Sequence, residues 1–153
     1  MDSPITPQQV AEATREAMWR RDRASLALGM QVLAVGPGTA RLAMMVREDM
    51  LNGLDTCHGG VVSTLADSAF AFACNSYNEQ TVASGFDVNL LAAARAGDVL
   101  TAEAVEVSKA GRTGVYDVTV RNQLGVAVAA FRGRSYTLKG KPLVPGLPMG
   151  KTP

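Results

Sequence analysis

The stretch C-H-G-G-V-V-S-T-L-A-D-S-A-F-A-F-A-C-N-S-Y-N, from Cys57 to Asn78, decides the fold of this chain. It predicts one helix of about 20 residues and roughly 30 Å, because alanine, leucine and phenylalanine favour helix and no proline interrupts it. Apolar residues cover all sides of the helical wheel, which is typical of a buried helix. Serine, threonine and aspartate interrupt it too often for a membrane span. We therefore predict that the rest of the chain folds around this helix.

Asp67 is the only carboxylate between Thr56 and Asn78. A lone carboxylate in a buried helix costs several kcal/mol unless it is paired, hydrogen-bonded or protonated. One interpretation is that Asp67 bonds Ser63 or Thr64 one turn earlier and merely tolerates burial. The favoured interpretation is a working acid, because perturbed buried acids cluster at functional sites.

Length and composition indicate one globular domain. The chain has 153 residues, of which 47% are hydrophobic and 19% charged, enough for a hydrophobic core. A net charge of +1 gives no reason to expect nucleic acid or a membrane surface as a partner. The first residues, M-D-S-P-I-T-P, contain no secretory signal pattern.

The cysteine and histidine content bears on location and metals. Cys57 and Cys74 would lie near opposite ends of one helix, too far apart to form a disulfide. Free thiols suit a reducing compartment, so we expect the protein in the cytoplasm. One histidine and two cysteines at these spacings cannot supply a convincing zinc site.

The order of elements predicts an α+β fold. Thr6-Pro7 opens a first helix, two strands precede the central helix, and four follow it. Short glycine-containing turns join strands into hairpins, which demands an antiparallel sheet. The predicted strands are Met30–Val35, Ala40–Val46, Thr81–Leu91, Asp98–Ser108, Val115–Arg121 and Val126–Leu138, the last ones forming a meander. Residues 1–140 form the domain, and 141–153 form a proline- and glycine-rich tail that we expect to be loose. A sheet covers one side of the central helix, and a second copy of the chain is the expected cover for the other.

These motifs resemble the hotdog-fold acyl-CoA thioesterases, and in particular the phenylacetyl-CoA thioesterase group. The resemblance rests on N-G-x-x-x-C-H-G-G-x-x-x-x-L-A-D-S-A-F-A-F-A-C-N-S from Asn52 to Ser76. It continues in W-R-R-D-R-A-S-L-A-L-G-M from Trp19, G-R-T-G-V-Y-D-V from Gly111 and F-R-G-R-S from Phe131. It implies an antiparallel sheet wrapped around a long central helix and hydrolysis of a CoA thioester without metal or cofactor. It also implies a homodimer that forms the active sites, assembled into a homotetramer.

The resemblance also implies roles for single residues. Asp67 matches the catalytic carboxylate, acting as general base or nucleophile, and Gly59 matches the glycine whose N–H polarises the thioester carbonyl. Asn52 and His58 match side chains lining the same site, and Ser68 follows the acid where a hydroxyl residue often sits. The stretch L-L-A-A-A from Leu90 departs from the family, where arginine or proline often follows the leucine.

The residue chemistry agrees with these roles. Gly59 and Gly60 start a helix, where unpaired N–H groups and the positive end of the dipole can stabilise an oxyanion. Alternatively, the glycines only make a tight turn, and His58 is only a cap. No nucleophile-elbow pattern accompanies the single histidine, and a Cys57–His58 dyad is unlikely because adjacent helical residues diverge by about 100°.

Four basic residues near strand turns are candidates for binding the CoA phosphates, or else plain solvated surface: Lys109, Arg112, Arg132 and Arg134. Of these, Arg112 and Arg134 are the predicted contacts, and Ser84 is a weaker candidate for holding water. Two other functions remain open. One is a non-catalytic acyl-CoA sensor, which has no need of a buried acid, and the other is a hydratase or dehydratase on the same scaffold.

Helix geometry predicts a site shared between two chains. Gly59 and Asp67 are eight residues apart, which means some 80° around the axis and about 12 Å along it. One thioester carbon cannot easily reach both groups on a single straight helix. Two antiparallel helices related by a two-fold axis bring the start of one near the middle of the other. Each site is therefore expected to take Asn52, His58 and Gly59 from one chain and Asp67 from its partner.

Overall fold

A computed structural model describes residues 3–152. Residues 1 and 2 of the predicted domain and residue 153 of the predicted tail lie outside the described range. The elements in chain order are α1 Pro7–Trp19, α2 Arg23–Ala27, β1 Gln31–Gly36, β2 Thr39–Met45, a short 3-10 helix Glu48–Met50, α3 Gly59–Cys74, β3 Thr81–Leu90, β4 Val99–Ala110, β5 Thr113–Arg121 and β6 Ala127–Thr137.

The six strands form one fully antiparallel sheet in the order β1-β2-β4-β5-β6-β3. The predicted α+β class and the antiparallel pairing are confirmed. The predicted meander holds for β4, β5 and β6 but is wrong for β3, which pairs with β6 at one edge of the sheet. The connection from residue 91 to residue 98 carries the chain from that edge back to β4. Neighbours in sequence are therefore not neighbours in the sheet at this point.

The helix α3 packs against the sheet and is shorter than the sequence suggests. It has 16 residues, from Gly59 to Cys74, because His58 caps its start and Asn75 ends it. Phe70 lies in its buried face, with ring centroids 5.5 Å from Tyr116 and 5.9 Å from Phe131. Gly133 of β6 makes this packing possible, since a Cβ there would come within 2.8 Å of the Phe70 ring.

One face of α3 is only partly covered within a single chain. The predicted burial of the helix on all sides therefore stays a prediction that depends on a second chain. Gly60, Thr64, Asp67 and Ala71 repeat at a spacing of four, three and four residues and are half-buried or exposed. Such spacing places residues on one face of a helix. The edge strand β3 adds apolar surface, as Val82, Phe86 and Leu90 are 48%, 42% and 56% exposed. The chain alone therefore leaves apolar and small residues uncovered along α3 and β3.

The N-terminal helices hold the second half of α3 in place. The predicted helix α1 begins at Pro7 with Thr6 as its cap and ends at Trp19, whose ring lies 6.3 Å from that of Phe72. The helix α2 has only five residues and begins after Asp22, which accepts a hydrogen bond from the N–H of Ser25.

The C-terminal segment is not loose, although it contains no helix or strand up to residue 152. The buried Asn78 anchors it: its Oδ1 accepts hydrogen bonds from the N–H groups of Leu143 and Val144. Its Nδ2 donates to the carbonyl oxygens of Val144, Leu147 and Pro148 at 3.0–3.3 Å. The C-terminal segment is therefore held by hydrogen bonds to Asn78, a residue shortly after the end of α3. Among residues 3–152, no helix combines the length and apolar character that a membrane span requires.

Candidate active site

The start of α3 carries one backbone donor without an acceptor. His58 Nδ1 accepts a hydrogen bond from the N–H of Gly60 at 2.9 Å, and His58 O accepts from Val61 and Val62. Within residues 3–152, no acceptor lies in hydrogen-bond range of the Gly59 N–H. The first N–H groups of a helix attract anions and developing negative charge. Gly59 therefore offers a donor for a carbonyl oxygen, whereas the N–H of Gly60 is already used.

His58 is a helix cap in this structure. Its Nδ1 accepts from a backbone N–H, so the neutral ring carries its proton on Nε2. The side chain is exposed, and Nε2–H remains available to a bound molecule. The capping alternative for His58 thus describes a contact that is present, and it does not exclude a contact with substrate.

A cavity of about 270 Å³ lies beside Gly59. Two predicted site residues, Gly59 and Asn52, line it together, so the structure brings these two into one place. The remaining lining residues are Thr56, Cys57, Val62, Leu90, Leu91, Ala92, Ala93, Ala94 and Val128. The Asn52 side chain also orders the loop before α3, because its Oδ1 accepts from the N–H groups of Leu54 and Thr56.

Asp67 lies on the half-buried face of α3, and its carboxylate has no hydrogen-bond partner in the described part of the chain. Ser63 Oγ donates to Gly59 O at 2.8 Å, and Thr64 Oγ1 donates to Gly60 O at 2.7 Å. The interpretation that Asp67 bonds these hydroxyls is therefore wrong. Burial raises the pKa of the Asp67 carboxyl, which makes it a better proton acceptor than an exposed aspartate.

The structure does not bring Asp67 to Gly59 within one chain. Asp67 does not line the cavity beside Gly59. Both residues belong to the same continuous helix, so about 12 Å separates them along its axis.

The predicted hydroxyl residues have partners inside the chain. Ser68 Oγ lies 2.9 Å from Ser25 Oγ, which donates to Asp22 Oδ2, so Ser68 joins α3 to α2. Ser84 Oγ donates to Arg134 O at 3.2 Å across the edge of the sheet. Neither serine lines the cavity beside Gly59.

The predicted phosphate contacts differ in how they are held. Arg134 pairs with Asp87 at 2.6 Å, and Arg132 makes a two-pronged pair with Asp117 at 2.6 and 2.8 Å. Arg112 lies exposed in the turn between β4 and β5 and has no ion-pair partner within residues 3–152. Of the two predicted contacts, Arg112 is the one whose charge is free for a phosphate.

The contact between Leu90 and Gly59 was not predicted from the sequence. A Cβ added to Gly59 would come within 2.5 Å of Leu90 Cδ1, so the Leu90 side chain lies directly against this glycine. The stretch from Leu90 to Ala94 was singled out in the sequence only as a departure from related proteins. Its position in the cavity depends on how β3 packs beside α3, which no local pattern reveals.

A larger cavity, of about 670 Å³, lies at the other end of the molecule. It is lined by the start of α1, the residues after α3 and the C-terminal segment, and by none of the predicted site residues. Glu106 in its wall accepts hydrogen bonds from the hydroxyls of Tyr77 and Tyr116 and pairs with Lys151. Its carboxylate is thus fully engaged. We assign the site to the smaller cavity because the free donor and Asn52 are there.

Comparison with known proteins identifies the family. Residues 54–129 match the thioesterase superfamily. The acyl-coenzyme A thioesterase PaaI of Escherichia coli K12 is 43% identical over 124 residues, which is 81% of this chain and 89% of that protein. A solved structure of E. coli PaaI superimposes with a TM-score of 0.87 at 40% identity, covering 89% of this chain and 99% of the other.

A protein of Streptococcus mutans UA159, solved bound to acetyl CoA, superimposes with a TM-score of 0.71 at 26% identity. The match covers 73% of this chain and 90% of that structure. The antiparallel sheet packed on one long helix, together with these matches, identifies a hotdog-fold thioesterase. The chain belongs to the thioesterase superfamily. The family, the hotdog fold and the enzyme class expected from the sequence are thereby confirmed.

Proposed function

We propose that this protein hydrolyses acyl-CoA thioesters, with an arylacetyl group of the phenylacetyl type as the preferred acyl group and a medium-chain acyl group as the second choice. The observation that carries the proposal is the unpaired Gly59 N–H, which lies in the wall of a cavity that Asn52 also lines. The similarity to E. coli PaaI, which comes from the phenylacetic acid degradation operon, supports the acyl group.

The proposed reaction uses two groups of the protein. The thioester carbonyl oxygen accepts a hydrogen bond from the Gly59 N–H, which stabilises the negative charge that develops when the carbon is attacked. Asp67 either removes a proton from the attacking water or attacks the carbon itself. If Asp67 acts as the base, the C–S bond breaks, the thiolate takes the proton from Asp67, and the free acid and CoA leave. If Asp67 attacks, the C–S bond breaks to give CoA and an anhydride between Asp67 and the acyl group, and water then hydrolyses the anhydride to the free acid. His58 and Asn52 are proposed to contact the carbonyl end of the substrate.

Two chains are proposed to complete each site. Gly59 and Asp67 are too far apart on one helix, and an antiparallel partner helix would place its Asp67 near the cavity. The half-buried face of α3 supports this arrangement, because Gly60, Thr64 and Ala71 are small and permit a close helix contact. The exposed apolar residues of the edge strand β3 lie beside that face and support the same interface. Two such dimers are proposed to form the homotetramer.

The CoA moiety is proposed to lie outside the cavity. The S. mutans relative solved with acetyl CoA supports a CoA ester as ligand. Arg112 is the proposed contact for the CoA phosphates, with Arg134 as a second candidate that is already paired with Asp87.

Two further parts of the proposal are a domain of residues 1–140 followed by the tail, and a cytoplasmic location. The location is supported by the two free cysteines.

Incubation with a panel of acyl-CoAs and a thiol reagent tests the proposal. The panel contains phenylacetyl-CoA, a medium-chain acyl-CoA and acetyl-CoA. We expect release of free CoA, fastest from phenylacetyl-CoA. Binding without release of CoA would support the sensor function instead. A change in acyl absorbance without a new thiol would support a hydratase or dehydratase.

A further inference from the structure

We propose that the segment Leu90–Ala94 forms the acyl-binding wall of this enzyme, and that Ala92 and Ala93 set the largest acyl group it accepts. This inference rests on the proposed function, since it assigns the substrate's acyl end to the cavity beside Gly59. It adds residues that determine specificity and that the reaction itself does not use.

The wall is fixed at both of its ends. The N–H of Leu91 donates to Val128 O at 2.8 Å, which continues the contact between the edge strand and β6. At the other end, the N–H of Cys57 donates to Ala94 O at 2.8 Å, which ties the segment to the residue just before the helix cap. A wall held to both β6 and the start of α3 keeps a constant distance from Gly59. Its side chains can therefore limit the length and width of the acyl group that fits into the cavity.

The cavity has the chemistry of an acyl site. Apart from Asn52 and Thr56, the residues that line it have apolar side chains or none, three consecutive alanines contribute to it, and backbone groups supply further polar surface. Its volume of about 270 Å³ lies just below the usual range for small-molecule pockets, about 300–1,000 Å³. The space suits one end of a thioester rather than a whole acyl-CoA. The Gly59 N–H, which lines the same cavity, marks the position of the carbonyl oxygen. The part of the substrate that lies in the cavity beyond this oxygen is therefore the acyl group.

The small side chains of Ala92 and Ala93 leave the cavity open, and Leu90 narrows it next to Gly59, where the thioester carbonyl is proposed to bind. Ala92 and Ala93 line the cavity and are exposed, whereas Ala94 is only 2% exposed. Leu90 lies against Gly59, and a side chain that is 56% exposed in the isolated chain can be shortened at little cost to the fold. The segment thus offers two positions that would shrink the cavity and one that would enlarge it.

Two leucine substitutions and one control test the proposal. Ala92→Leu and Ala93→Leu, made separately, fill part of the cavity, while Ala96→Leu makes the same change on the exposed turn beyond it. The measured quantity is kcat/KM for phenylacetyl-CoA divided by kcat/KM for acetyl-CoA. We expect this ratio to fall about tenfold or more in at least one cavity variant, because steric changes of this size in an apolar pocket alter discrimination by about 10- to 200-fold. The ratio should stay within about twofold of the wild-type value in Ala96→Leu.

A change in the opposite direction keeps the test valid if a leucine variant does not fold. Leu90→Ala enlarges the cavity and should raise kcat/KM for a bulkier ester, such as a naphthylacetyl-CoA, relative to acetyl-CoA. Failure of this inference differs from failure of the proposed function. If the wild type releases no CoA from any ester, the proposed function is wrong and the wall has no acyl group to select. If the wild type is active but the ratios of all folded variants equal that of Ala96→Leu, the acyl group lies elsewhere and this proposal is overturned.

Discussion

Leu90 Cδ1 lies so close to Gly59 that a Cβ on this glycine would come within 2.5 Å of it. The contact places the edge strand β3 directly beside the first residue of α3. A side chain added at this position would have to shift the Leu90 side chain. The contact also leaves the Gly59 N–H as the accessible polar group at this point of the cavity wall.

The Gly59 donor can be removed without disturbing the helix. Gly59 is the first helical residue, where proline is well tolerated, and His58 has φ −56° and ψ 130°, which suit a residue before proline. We expect Gly59→Pro in a Leu90→Ala background to fold and to lose about 10²–10³ in kcat, as for other oxyanion donors. Gly59→Ala in the same background is the matched control, because it adds a Cβ but keeps the N–H. Equal rates in the two double variants would place the polarising donor elsewhere.

Asp67→Asn should lower kcat by about 10²–10⁴, because the proposed base or nucleophile is lost while the shape is kept. Burial raises the pKa of the Asp67 carboxyl, so the acid limb of the wild-type rate profile should lie above the ordinary value of 3.8. The profile of the residual Asp67→Asn activity should lack that limb. A limb unchanged by the substitution would show that another group titrates.

The same pKa shift makes a prediction about stability. A carboxyl whose pKa is raised by folding favours the native state below pH 3.8 and loses that contribution as the pH rises through the raised value. Asp67→Asn should therefore be more stable than the wild type at neutral pH, and the difference should shrink in acid. Urea unfolding at pH 7 and pH 4 measures it. A variant less stable than the wild type at pH 7 would indicate that the charged carboxylate has a stabilising partner.

The anchor of the C-terminal segment can be tested at Asn78. This residue has φ +58°, so Asn78→Gly keeps the left-handed backbone and removes only the side-chain hydrogen bonds. We expect a loss of about 1–3 kcal/mol in the free energy of unfolding, since half-buried backbone groups between residues 143 and 148 lose their partner on the buried Asn78. Asp55→Gly repeats the backbone change at φ +59° on an exposed residue and should be nearly neutral. Equal stability of the two variants would mean that the segment adds nothing to the fold.

The two predicted arginines provide a matched pair for the CoA phosphates. Arg112→Ala should raise KM for an acyl-CoA several-fold and leave KM for the corresponding acyl-pantetheine unchanged, because only the former carries phosphates. Arg134→Ala should have the smaller effect, since Asp87 already holds that guanidinium. Equal effects of Arg112→Ala on both esters would remove Arg112 from the phosphate site.

Local patterns accounted for most of the fold. Alternating residues and glycine-containing turns such as Gly36-Pro37-Gly38 are read from neighbouring residues, and all six predicted strands are present. The helix α2 was missed because five residues give no helical period. Periodicity does not encode contacts between residues far apart in the sequence. The position of β3 at the sheet edge depends on such contacts, and so do the hydrogen bonds between Asn78 and the C-terminal segment.

Some residues of the candidate site could likewise be predicted from the sequence, and others could not. A glycine pair at a helix start and a lone buried acid are visible in the sequence, so Gly59 and Asp67 could be proposed from chemistry alone. The separation of these two residues followed from helical rise. Leu90 could not be assigned, because its contact with Gly59 arises only when an edge strand packs beside the helix.

The central claim is that each active site takes Gly59 from one chain and Asp67 from another. The most direct measurement mixes two inactive chains, one carrying Gly59→Pro with Leu90→Ala and the other carrying Asp67→Asn, after unfolding and joint refolding. About half of the random dimers are mixed, and each has one intact site of two, so about a quarter of the wild-type rate should return. Each variant refolded alone is the control and should stay inactive. A mixture that remains inactive, although mass spectrometry shows that the chains have exchanged, would contradict a shared site.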